Sequence, residues 1–220
     1  MKYLLYVDTT TDWIVSGIYK YNIETLEKIS FFKASHPKES SHRLVLDIKN
    51  LLNFVNIKKV DLVVCAKGPG SFTGIRIAVS TTRNLAQFWD IPCLGLDTLE
   101  VYSSYYYFKY NSPSLVLLDA KMKKVYAGKY SKDGFSGSLD ISPNELEKKF
   151  DLSSLKIFSD FNYQSSISIH TDYPEPDFLL NSKLAELNRL NTIENSYKTL
   201  TPNYIRGTYA EGKEKLSSYP

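Results

Sequence analysis

The sequence predicts an α/β protein built as two similar halves, each around a mixed β-sheet. Three observations carry that expectation. Up to Leu96, strand-like and helix-like runs follow in the order strand-strand-strand-helix-strand-helix-strand. The wholly apolar core of the run from Asp61 to Ala66 leads straight into a glycine-rich turn and then a helix, as expected of a strand buried on both faces. The opening hairpin also recurs. Aligning Asp8 with Asp119 superposes LLYVDTTTDWIVSGIYKY on SLVLLDAKMKKVYAGKY without a gap, placing Gly17 on Gly128 and Tyr19 on Tyr130.

The elements follow in turn. Tyr3 to Asp8, Trp13 to Tyr21 and Leu26 to Ala34 are rich in β-branched and aromatic residues and are separated by the polar turns TTTD and YNIET, which predicts an antiparallel meander. The period then changes. Leu44, Ile48, Leu51, Leu52 and Val55 recur at helical spacing over Ser40 to Asn56, with Ser40 or Ser41 able to cap the first turn. Asp61 to Ala66 is the buried strand, Thr73 to Trp89 a second helix, and Ile91 to Leu96 a further short strand. This order is that of the ribonuclease-H-like half-domain found in actin, sugar kinases and Hsp70 ATPase domains. Leu99 to Tyr110 reads as a helix connecting the halves, which divide as 1–98 and 99–220, with part of the C-terminal tail joining the first. From Asp133 to Pro176 the signal is weak. Ser182 to Thr192 has helical character, and Tyr209 to Pro220 is a polar tail.

Composition narrows the functional classes. The 220 residues are 43% hydrophobic and 23% charged with a net charge of +3, an ordinary globular balance without the basic stripe of a nucleic-acid binder. The only two cysteines, Cys65 and Cys93, lie in apolar runs and read as small core residues. No apolar run is long enough for a membrane helix, and the start reads as a strand and not as a signal peptide. The expectation is a cytoplasmic protein that does not engage a membrane.

The turn AKGPGSFTGIRIA, containing Gly68, Pro69, Gly70, Ser71, Phe72, Thr73 and Gly74, is the strongest local signal. Glycines here let the backbone turn sharply, and the amides at the following helix start could hold an anion. Neither phosphate motif fits. Thr73-Gly74-Ile75 stands where a P-loop needs Gly-Lys-Ser/Thr, and the third glycine comes one residue late for a dinucleotide fingerprint. A tight connection without a ligand is the competing reading. The second helix spreads Ile75, Ile77, Val79, Leu85, Phe88 and Trp89 over more than one face, which means either a fully internal helix or one covered by another chain. The two turns Asp8-Thr-Thr-Thr-Asp12 and Asp119-Ala-Lys-Met-Lys123 contain no glycine, so a nucleotide crevice between the halves looks degenerate. His36, His42 and His170 are not spaced as metal ligands, and no Ser-His-Asp or Cys-x-x-Cys pattern occurs. No catalytic residue, cofactor or metal is expected.

VDTTTD, SHRLVLDIKNLL, GPGSFTGIRIA, LLDAKMKKVYAGKY and PNYIR (Pro202 to Arg206) together resemble, in this order, the TsaB (YeaZ) family. Ala78 departs from the glycine usual there. The resemblance implies an actin-like fold in two halves and a non-catalytic subunit. Such a subunit pairs with the catalytic paralogue TsaD, is joined by the ATPase TsaE, and reaches tRNA through the complex. That complex forms threonylcarbamoyladenosine at position 37 of ANN-decoding tRNAs. The resemblance further implies that the two helices of the first half are the pairing surface, which points to His42, Leu46, Arg76, Val79 and Arg83 as interface residues, with a homodimer through the same helices when the chain is alone. The alternative is an active small actin-like kinase or nucleotide-binding enzyme using Gly68 to Gly74.

Overall fold

The computed structural model describes residues 1–35, 40–171, 173–190 and 195–205. His36, Thr192, Arg206 and the tail from Tyr209, all considered above, lie outside the described residues.

Period-two alternation builds the first sheet. On β1 (Lys2–Asp8), Leu4 and Tyr6 face one side while Leu5 and Val7 face the other, all fully buried. β1 pairs antiparallel with β2 (Trp13–Tyr21), which pairs antiparallel with β3 (Leu26–Ser35). After α1 (Ser40–Val55), β4 (Leu62–Ala66) pairs parallel with β1. After α2 (Phe72–Trp89), β5 (Cys93–Leu96) pairs parallel with β4. The order is β3-β2-β1-β4-β5.

The second half repeats the plan. After α3 (Thr98–Tyr110), β6 (Ser114–Asp119), β7 (Val125–Ser131) and β8 (Gly134–Ile141) form an antiparallel meander. A short α4 (Leu146–Lys149) follows, then β9 (Lys156–Ser159), parallel to β6, and β10 (Ile167–Ser168), parallel to β9. The order β10-β9-β6-β7-β8 is the first sheet's order read from the other edge. This is a duplicated α/β fold of the ribonuclease-H-like, actin-like type. The gap-free alignment of the hairpins is off by one residue. Asp8 pairs with Val15, whereas Asp119 pairs with Val125, so the second turn is one residue shorter. It closes that distance with three consecutive left-handed residues, Lys121, Met122 and Lys123, at φ of 59°, 53° and 60°. Beyond the weakly patterned stretch, the fold is completed by α5 (Asp177–Ser182) and by α6 (Leu184–Leu190), which lies within the stretch whose spacing is helical.

One core joins the two sheets. Leu4, Tyr6, Val64, Val116, Leu118 and Phe158 pack with α3, α5 and α6 in a single buried cluster. A second cluster lies under α1 and α2 on the outer face of the first sheet, where Leu200 of the C-terminal segment also packs. The outer face of the second sheet is covered by a smaller group around Leu115, Leu117 and Leu146. Among the described residues, no helix is long and apolar enough to cross a membrane.

Candidate functional site

A cleft of about 420 Å³ between the halves is lined by Thr10, Thr11, Asp12, the turn from Gly70 to Thr73, and the turn from Leu118 to Lys121.

Asp8 is fully buried, and its own chain occupies its oxygens. Oδ1 accepts from the Thr10 amide and hydroxyl, both at 2.7 Å. Oδ2 accepts from the hydroxyls of Tyr173 at 2.8 Å and Tyr102 at 3.1 Å. Burial pushes the carboxyl above its ordinary value, and the bonds from Thr10, Tyr173 and Tyr102 pull it partway back. A carboxylate so enclosed has no lone pair directed at the cleft.

The glycine turn is built around the same hairpin. The Ser71 amide donates to the Thr10 carbonyl at 2.6 Å, and the Thr9 hydroxyl donates to the Gly74 carbonyl at 2.7 Å. A Cβ on Gly70 would stand 2.2 Å from the Thr10 carbonyl oxygen, and one on Gly74 only 1.7 Å from that of Thr9. These two glycines thus serve a close backbone approach, as the sequence reading allowed, and the approaching group is the chain itself. Ser71 caps α2, accepting from the Gly74 amide at 3.3 Å. Gly68 is tied to α3, with the Thr98 amide donating to its carbonyl at 2.9 Å.

Across the cleft, burial works against the Asp119 charge, but the Lys121 ammonium at 2.6 Å and the Lys121 amide outweigh it and hold the carboxyl below its usual value. Asp160, which accepts from the Asp119 amide at 2.8 Å, is pushed up to about 6 by burial and by the Asp119 charge. The fold therefore keeps a proton on Asp160 that the unfolded chain has released. That contribution to stability is full below about pH 4 and is lost as pH rises through about 6. Asp160→Asn, which keeps an acceptor for the Asp119 amide, is expected to remove this loss and to stabilise the protein at pH 7 by about 1–2 kcal/mol. Urea titrations at pH 5 and pH 7 check it; identical pH slopes in both proteins would overturn it. Among the described residues, no three His, Cys, Asp or Glu side chains are grouped to hold a metal ion.

The residues singled out on the helices divide. His42, Leu46 and Arg76 are exposed, and Arg83 is half-buried. Val79 is turned inward, 3% exposed within the core under α2, so a charge placed there tests folding and not a contact with another chain. The α2 helix is not internal. Its buried face is Gly74, Ile75, Ala78, Val79, Thr82 and Ala86, while Phe88 is 82% exposed and Phe72 47%. On α1, Leu46 is 47%, Val45 57% and Phe54 78% exposed. Sequence reasoning missed Tyr102 and Tyr173, whereas Tyr204 lies in the PNYIR segment it quoted. Tyr173 sits in the weakly patterned stretch from Asp133 to Pro176, and Tyr102 lies on the connecting helix Leu99 to Tyr110, for which no site residue was expected.

The comparisons agree with this geometry. The family model described as TsaD, tRNA N6-adenosine threonylcarbamoyltransferase, matches residues 35–157. The tRNA threonylcarbamoyladenosine biosynthesis protein TsaB of Buchnera aphidicola subsp. Schizaphis graminum is 31% identical over 130 residues, 58% of this chain and 60% of that one. The protein of the same name from Bacillus subtilis is 31% identical over 131 residues, 58% of this chain and 54% of that one. The matched stretch thus spans less than two thirds of either relative. The structure of YeaZ from Pseudomonas aeruginosa superposes with a TM-score of 0.71 at 21% identity, covering 93% of this chain and 100% of that one, which shows the shared fold. With the family model matched over more than half of its length and relatives of that name on the sequence side, the chain belongs to the TsaB (YeaZ) family.

Proposed function

We propose that the chain is a non-catalytic partner subunit in the formation of threonylcarbamoyladenosine in tRNA. In this reading it divides into halves 1–98 and 99–220 and works in the cytoplasm. It pairs through α1 and α2 with a TsaD-type catalytic paralogue, a TsaE-type ATPase joins the pair, and tRNA is reached through the assembly. The reaction is taken from the names of its relatives; the absence of chemistry of its own rests on Asp8. The carboxylate that an actin-like enzyme would direct at its nucleotide crevice is here consumed by Thr10, Tyr102 and Tyr173. The pairing face rests on the exposed apolar side chains of the two helices, because apolar surface of that kind gains by being covered.

Reconstitution tests the reading. The purified chain alone should neither hydrolyse ATP nor modify tRNA. It should restore modification when added to the TsaD-type and TsaE-type proteins with threonylcarbamoyl-AMP supplied. ATP turnover by the isolated chain would instead favour the nucleotide-enzyme reading.

A further inference from the structure

The turn between β6 and β7 combines a strained backbone with a cluster of charge. Lys121, Met122 and Lys123 are all left-handed, a run that L-residues adopt only at a cost. Lys121 lines the cleft between the halves with Asp119, Asp160 and His170 of the second half and Asp12 of the first. With Tyr126 these are the titratable groups of the cleft lining, and Lys121 is the permanent cation among them. Its ammonium stands 2.6 Å from Asp119 Oδ2, on a side chain that is 82% exposed, and Asp160 and Asp12 also attract its charge.

Asp160 is held in place by its own backbone. Its amide donates to the Leu117 carbonyl at 3.3 Å, and its carbonyl accepts from His170 Nε2 at 2.6 Å. Its Oδ1 accepts from the Asp119 amide at 2.8 Å. Burial first, and then the Asp119 charge, push this carboxyl up to about 6, against the pull of the Asp119 amide. While Asp160 is neutral, Asp119 and Lys121 balance. Once it ionises, two neighbouring carboxylates have one lysine between them, and an ammonium with three donors can serve both.

We propose that the turn is a pH-sensitive latch on the cleft: when Asp160 ionises, the Lys121 ammonium moves from Asp119 to bridge Asp119 and Asp160, and the left-handed residues 121–123 shift with it. The turn is the part that yields. Asp119 ends a strand paired with β7, and Asp160 directly follows a strand paired with β6, whereas strain at three consecutive residues brings other shapes of the turn closer in energy. Because the turn is one wall of the cleft, its posture sets the width of the opening. The latch does not depend on the proposed function.

Nuclear magnetic resonance on the whole chain between pH 5 and pH 7.5 tests it. Three-bond amide couplings of Lys121, Met122 and Lys123 report φ. The Overhauser contact from the Lys121 ε-protons to the Asp160 β-protons reports the bridge, and the carboxyl carbons report ionisation. In the wild type the couplings and the contact are expected to change together with the Asp160 carbon, at one midpoint near pH 6. In Asp160→Asn, which keeps an acceptor for the Asp119 amide, the couplings should be flat across the range. In Lys121→Met the Asp160 midpoint should rise for want of the cation, and the couplings of Met122 and Lys123 should stay constant. His170→Gln, which retains a side-chain amide to donate to the Asp160 carbonyl, should respond as the wild type does. The backbone spectrum identifies folded variants, and Lys121→Met carries the test if Asp160→Asn does not fold. An Asp160 that titrates beside an unmoving turn would overturn the latch. So would a turn that still responds in Asp160→Asn or Lys121→Met, or one that no longer responds in His170→Gln.

Discussion

Gly74→Ala is expected to lower the stability of the protein by about 3 kcal/mol, a large effect for one methyl group on a helix. Elsewhere in a helix the same change stabilises, because alanine has the higher helical propensity. Here the new carbon would stand 1.7 Å from the Thr9 carbonyl oxygen, and neither backbone is free to move. Thr9 directly follows β1, which is held by β2 as far as Asp8 and by β4 as far as Val7, and Gly74 sits in the first turn of α2 under the Ser71 cap. Relief requires separating the hairpin from the helix, which also breaks the Ser71 to Thr10 and Thr9 to Gly74 hydrogen bonds. Urea denaturation followed by circular dichroism measures the loss, with Thr73→Ala, an exposed neighbour, as the control. A loss below about 1 kcal/mol would mean that the contact relaxes and that the glycine is not there for the close approach.

Asp8→Ala should be worse, at about 4 kcal/mol. Removing the carboxylate leaves the Tyr102 and Tyr173 hydroxyls and the Thr10 amide and hydroxyl to find new acceptors where water does not reach. Asp8→Asn keeps one acceptor oxygen and nearly the same shape, and either tyrosine hydroxyl can turn to accept from the new amide, so its cost should be about 1–2 kcal/mol. The contrast separates a structural role from a catalytic one. If both variants fold like the wild type, yet both abolish tRNA modification in the reconstituted system, Asp8 acts in the chemistry and the partner-subunit reading fails.

Much of the first half was legible because its elements alternate cleanly between periods. The β1, β4, α1 and α2 boundaries fall within a residue or two of the expected ones, since each carries a full apolar face. The second half was legible in α3, in its first hairpin and in the helical spacing that became α6, and the hairpin's register was off by one because sequence does not reveal that Lys121, Met122 and Lys123 take left-handed conformations. The remainder was obscured for a physical reason. β9 and β10 are short, β8 is nowhere deeply buried before Ile141, and α5 is a six-residue helix that buries only the adjacent Leu179 and Leu180. Of the site, the turn was visible and its partner was not. That Thr9 and Thr10 fill the approach made by Gly70 and Gly74 depends on a contact between segments some sixty residues apart. Val79 illustrates the limit on α2: a helix with apolar residues all round does not announce which of them faces out.

The α3 helix has a further consequence. It is buried around most of the circumference of its first two turns, and its capping residue Asp97 accepts from Ser138 on β8 at 2.8 Å and from Asn203 of the C-terminal segment at 2.9 Å. Enzymes of this architecture open and close by hinging one lobe against the other, so that a bound molecule can enter and leave. In this chain a hinge stroke would have to peel α3 from one of the two sheets that share it, exposing the side chains of the common core. Separating the lobes would therefore cost the burial of that core. Under the proposed pairing, the chain would offer its neighbour a surface of fixed shape, and a stroke would come from the other member.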